Sequence, residues 1–252
     1  MSKVKVVYAK SINAFTSYLA RSNTQDTVLF RGQPEDWPLV PKIGRLPLDR
    51  PVLKAEQAIL EMFKRQSLPF VERQPPASEW DWLAIAQHHG LPTRLLDWTL
   101  NPLVALWFAV GRPAKTGRDG VVWAFAPDSD DYVNISRDDP FSGDRTKVLR
   151  PSHVAERIRV QAGYFSVHTY LDQSSRFVPF DKIEPYQSRL TKVIVSGSGF
   201  ANIRFRLDQY GVNQSTVFPG LDGLSRHIEW LHTGLDDEGH LRRSDTRWEI
   251  PR

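Results

Sequence analysis

Three stretches of the chain place polar side chains of the kinds that do chemistry on an otherwise apolar framework. The longest is Gln87-His88-His89-Gly90-Leu91-Pro92-Thr93-Arg94-Leu95-Leu96-Asp97-Trp98-Thr99. It joins a capped helix to a wholly apolar one, so it is expected to run as a loop through the interior. Ionised groups there are costly unless paired and hydrogen-bonded. Two arrangements meet that cost. Either Arg94 pairs with Asp97 while Thr93 and Thr99 cap turns, or the segment lines a pocket where Arg94, His88 or His89 meets an anionic ligand. Adjacent His88 and His89 cannot both point to one side of a helix, so no metal site is expected from them.

The second stretch is Phe30-Arg31-Gly32-Gln33. An arginine at a strand end presents a planar guanidinium fork suited to phosphate or carboxylate. A following glycine would let the backbone approach a ligand closely. The third is Arg157-Ile158-Arg159-Val160-Gln161-Ala162-Gly163-Tyr164-Phe165. Alternation puts Arg157, Arg159, Gln161, Gly163 and Phe165 on one strand face, which can accept a polar ligand or face solvent. Gly197-Ser198-Gly199 could offer backbone N–H groups to an anion at a helix start, but three such residues are a weak signal and a plain strand-to-helix turn accounts for them better. Phosphate-loop, dinucleotide-fingerprint and zinc-protease patterns are absent.

The elements that must position these residues follow from local signals. Ser78-Glu79-Trp80-Asp81 has the form of a capping box, and Gly90 suits the left-handed position past the end of that helix. Asn101-Pro102 opens the next helix and Gly111 closes it; residues 103–110 are all apolar, so this helix must be enclosed by protein. Ser11 caps a helix bearing Ile12, Phe15, Tyr18 and Leu19, and residues 52–66 show helical spacing that breaks before Pro69. Strands are expected at 4–8, 27–31, 121–126, 158–168 and 192–196, and further helices at 200–209 and 224–231. This order predicts a single α+β domain, with helices of the first half packed on a mostly antiparallel sheet. Residues 1–26 form an N-terminal strand and helix, 27–234 the domain proper, and 235–252 a charged surface tail.

The 252 residues include no cysteine, which excludes disulfides, thiolate nucleophiles and zinc–thiolate sites. A net charge of +4 is modest for a protein relying on many phosphate contacts. The longest apolar run is far short of the roughly 20 residues of a membrane span, so no membrane partner and a cytoplasmic location are expected. Of eight tryptophans, five (Trp80, Trp82, Trp98, Trp107 and Trp123) fall close together, enriching a core or walling a ligand pocket.

Phe30-Arg31-Gly32, the long motif from Gln87 to Thr99 continuing through Asn101-Pro102, and Ala105-x-x-Phe108-Ala109 together resemble the FRG domain family, named for the Phe-Arg-Gly triplet. Arg157-Ile158-x-x-Gln161-x-Gly163-x-Phe165 and Gly211-x-x-x-x-Thr216-x-Phe218-Pro219-x-Leu221-x-Gly223 are similar to its later motifs. The family is mainly bacterial and phage-associated, which implies a stress or anti-phage context. A weaker similarity is to ADP-ribosyltransferases of the arginine-serine-glutamate type, implying a split sheet and NAD as a candidate substrate, while no cofactor is assigned. Under that resemblance Arg31 contacts the pyrophosphate and Trp98 stacks on nicotinamide or adenine. Gln161 meets the ribose where a glutamate is expected. A neutral amide cannot stabilise developing positive charge as a carboxylate does. Catalysis would then require Arg31 and Gln161 with Asp97 or another carboxylate, lined by Gln33, His88, His89, Thr93, Arg94, Trp98 and Thr99. Two other roles fit the residues: a non-catalytic nucleic-acid or nucleotide sensor, suggested by four basic and no acidic residues over 189–206, and a protein-interaction module.

Overall fold

The computed structural model describes residues 3–21, 27–71, 76–115, 117–151 and 163–239. Seven strands, β1 (Lys5–Ala9), β2 (Leu29–Gln33), β3 (Leu95–Thr99), β4 (Gly120–Phe125), β5 (Lys147–Leu149), β6 (Gly163–Val167) and β7 (Leu190–Val195), form one sheet in the order β1-β7-β4-β2-β3-β6-β5. Among these described strands β1 and β7 pair in parallel and the other neighbours are antiparallel. The helices among the described residues are α1 (Ile12–Arg21), α2 (Val52–Val71), α3 (Glu79–His88), α4 (Pro102–Val110), α5 (Glu184–Gln187), α6 (Phe200–Gln209), α7 (Gln214–Val217) and α8 (Leu221–Thr233). The architecture is α+β.

Caps and apolar patterning explain most boundaries. The Ser78 hydroxyl accepts the Asp81 N–H at 3.1 Å, and Gly90 has φ +81°. The Asn101 side chain accepts the N–H groups of Leu103 and Val104 at 2.9 and 3.3 Å. Two expectations need correction. Helix α2 runs on through Pro69 to Val71. Arg65 and Pro69 are both exposed, so the carbonyl that proline cannot serve is open to water. The segment from Leu95 to Thr99 is a strand, not a loop. Its residues alternate, Leu96 and Trp98 on one face, Leu95, Asp97 and Thr99 on the other, and it pairs with β6 along its whole length.

The sheet is divided at its centre. Strand β2 pairs with β4 through five residues and β3 with β6 through five, yet β2 and β3 meet only at Phe30 and Thr99. Beyond that pair the two strands diverge. One face carries Phe30, Val122, Ala124, Val193 and Val195 against α1, α4 and α6. The opposite face carries Leu29, Leu96, Trp98, Val121, Trp123 and Phe125 against Phe180 and Tyr186. A third cluster packs α2 and α3 on Leu95, Phe165 and Val167.

Gly32 allows the first of these layers to close. A Cβ on it would collide with the Ala105 carbonyl oxygen and come within 2.8 Å of the Ala109 nitrogen. The glycine therefore admits helix α4, rather than the ligand expected from the sequence. Gly32→Ala is expected to destabilise the protein by about 3 kcal/mol or more, because backbone rather than a yielding side chain stands in the way. Urea unfolding checks this: an unchanged midpoint would mean that α4 is free to move away.

Candidate functional site

Arg94 does not meet Asp97. It is 1% exposed, and its partner is Glu56 on α2, itself 1% exposed. One Glu56 oxygen lies 2.8 Å from Arg94 Nε and 2.7 Å from Nη2; the other accepts the Arg94 backbone N–H at 2.7 Å. Nη1 donates to the Pro140 carbonyl at 2.8 Å, and the guanidinium lies over the Phe141 ring. The nearest carboxylate in sequence loses to one 38 positions away: Asp97 is exposed and bonded to Gln87, while Glu56 is enclosed beside Arg94. An arginine so enclosed ties α2 and the 138–141 turn to the start of β3.

Asp97 turns instead to Arg31. Arg31 Nη1 donates to the Asp97 carbonyl at 2.9 Å and lies 3.7 Å from its carboxylate, spanning the gap where β2 and β3 part. The same carboxylate accepts from Gln87 at 3.0 Å, and Gln87 accepts from Thr93 at 2.6 Å. Burial pushes the Arg31 pKa down, Asp97 opposes that shift, and neighbouring Arg45 adds to it. Thr93 and Thr99 act as turn caps, accepting the N–H groups of Leu95 and Asn101. His88 and His89 sit at the end of α3 with their rings edge to face, His89 exposed. Trp98 is enclosed between Phe125 and Phe180 and donates its indole N–H to Ser166. It is a core residue and presents no free face for stacking. Gln161 lies outside the described residues, as do Arg157 and Arg159.

The same side of the sheet holds an unusual group of polar atoms. Arg31 Nε, Gln33 Oε1, Trp123 Nε1 and His168 Nδ1 are buried with no hydrogen-bond partner among the described residues. Arg31 stands opposite Trp123 in the ladder, and Gln33 follows on the same face. His168 contacts Ser166 through Nε2. Burial, with Arg31 and then Arg94 nearby, lowers its pKa from 6.5 to about 3, so it is neutral at physiological pH.

Where β2 ends, a cleft of about 530 Å³ opens between β2, the end of α4 and helices α7 and α8. Arg31, Arg45, Arg112 and Arg226 supply guanidinium groups to it. Trp37, Trp107, Phe108, Phe218 and Trp230 supply rings, and Trp107, Phe108 and Phe218 pack mutually edge to face. Arg204 also reaches this wall but is already neutralised: its Nε donates to Glu238 at 2.7 Å, Nη2 pairs with Asp237, and Nη1 donates to the Val110 and Arg112 carbonyls. Residues 235–239 are thus clasped against the body, and Glu238 is buried rather than part of a surface tail. Of the expected site residues, Arg31 and Gln33 line this cleft. Asp97 supports Arg31 through the hydrogen bond just described. His88, His89, Thr93, Arg94, Trp98 and Thr99 are not among its lining residues.

Residues 26–118 match the family model of the FRG domain. No curated protein and no solved structure matches the chain. The FRG segment provides Arg31, Gln33, Trp37, Arg45, Trp107, Phe108 and Arg112; the rest of the wall comes from later residues. Sequence reasoning missed Trp37, Arg45, Arg112, Arg226 and Trp230. Phe218 was within reach, because it belongs to the later FRG-like motif. In that motif Thr216 completes a cap on Asn213, and Gly223 lets α8 close on the Phe218 carbonyl. The Gly197-Ser198-Gly199 turn is not an open anion site, since Asp119 accepts the Gly197 N–H at 3.0 Å.

His168 gives the fold a pH dependence. Between pH 6.5 and about 3 the unfolded chain binds a proton that the folded chain refuses, so stability falls as pH falls through that window. The lowered pKa of Glu238, held down by Arg204 against its own burial, adds a loss of the same sign below about 4.5. His168→Gln should flatten the decline between about pH 6.5 and 5 while leaving the more acidic part intact. Urea melts of both proteins across that range check this, and parallel curves would clear His168.

Proposed function

We propose that the cleft binds a nucleotide, NAD or a related molecule, with Arg31 on a phosphate and the surrounding rings on the base. The observation that carries this reading is the shared cleft itself. A guanidinium fixed by the Asp97 carbonyl stands beside several aromatic walls, in a cavity of a size that suits a small ligand. Trp37, 41% exposed at the rim, is a ring with a face to offer. The unpartnered polar atoms behind Arg31 add support, because groups left in that state are concentrated where function requires them.

ADP-ribose transfer, in a bacterial stress or anti-phage context, is the fuller form of this proposal. It would need a carboxylate beside the ribose to meet the developing positive charge. Asp97 is engaged with Arg31 and Gln87. Among the described residues lining the cleft, Glu229 is the carboxylate in place. The nucleic-acid reading draws less support. Arg189 is paired with Asp131 and Asp128, Lys192 with Asp36, and Arg204 with Asp237 and Glu238, so the basic stretch offers no continuous cationic face.

Calorimetry with NAD, ADP-ribose and ATP tests the proposal. Binding by at least one of them is expected, weakened about tenfold or more in Arg31→Ala by loss of a charge-assisted contact. No binding by any of the three, or equal binding by the variant, overturns it.

A further inference from the structure

The charges around the cleft are unevenly matched. Elsewhere in the described structure, cations near the core have carboxylates: Arg94 has Glu56, Arg204 has Glu238 and Asp237, and Arg189 has Asp131. In the cleft, Arg31 shares Asp97 with Gln87, whereas Arg45, Arg112 and Arg226 form no ion pair with any described residue. Glu229 alone offsets them among the lining residues, and His227 already has Asp208 at 3.6 Å. The four guanidinium groups also come from four separate places: the end of β2, the 42–45 turn, the segment after α4, and α8. Groups gathered into one cleft from four segments, without matching carboxylates, call for a ligand with several negative charges rather than one. A chain of phosphates supplies them, each meeting a guanidinium fork.

Resting on the nucleotide reading above, we infer that the preferred ligand is a nucleoside carrying a linear chain of three or more phosphates, ahead of the diphosphate-bridged NAD class. Arg31 holds the phosphate nearest the sugar, beside the aromatic walls. Arg112 and Arg226 take the distal phosphates. The rings tolerate any base, so discrimination resides in phosphate number.

Calorimetry on the full chain with AMP, ADP, ATP, ADP-ribose and inorganic tripolyphosphate tests this. Affinity should rise about tenfold per phosphate from AMP to ATP, with ADP-ribose near ADP. Arg112→Ala and Arg226→Ala, both at exposed positions whose side chains bond no described residue, should each cost ATP about tenfold and AMP less than about threefold. Equal affinity for AMP and ATP, or variants that weaken both alike, overturns the phosphate-counting inference while nucleotide binding stands. Tripolyphosphate binding with no nucleotide bound overturns the nucleotide reading and supports the charge assignment. No binding by any of the five overturns both.

Discussion

Helix α4 lies so close over β2 that its own backbone occupies the space a side chain would take at Gly32. That contact is possible with one residue type, and it determines where the rest of the cleft stands. With α4 seated, Trp107 and Phe108 project from its flank toward Phe218. The carbonyls of Val110 and Arg112 then reach the Arg204 clasp. A thinner or thicker layer at Gly32 would separate the aromatic wall from the guanidinium at the end of the same strand.

Arginine serves two opposite purposes in this molecule. Arg94 and Arg204 are enclosed, and nearly every donor they carry is answered by a carboxylate or carbonyl, which gives them geometric specificity at the cost of desolvation. Arg31 is intermediate, half-buried and incompletely answered. Arg45, Arg112 and Arg226 stay in water, where their charge costs little to keep and remains ready for an anion. The parting of β2 from β3 creates the intermediate case: a continuous ladder would have left no gap for the Arg31 side chain to cross.

Helix caps and the enclosed helix were legible in the sequence because their signals are local. Ser78, Asn101 and Gly90 do in the structure what their types and spacing indicate. Strand β3 was not, because its apolar residues fall on both faces and the polar ones beside them read as a loop. The Glu56–Arg94 pair was also hidden, since the sequence offered Asp97 three positions away and no sign of how α2 would return over β3. The cleft was half legible. Arg31 stood out by its strand-end context, whereas Arg45, Arg112 and Arg226 look like any surface arginine until the chain brings them together.

The segment that matches the family model is not a self-sufficient piece of this fold. It ends two residues before β4, the neighbour that β2 pairs with along its full length, and it also lacks β6, which does the same for β3. Excised, it would present two strands joined by a single residue pair, with bare hydrogen-bonding edges on both sides. The unit that inheritance marks and the unit that cooperates in folding therefore have different limits. Any graft of the family signature into another chain must bring the downstream partners of both strands with it.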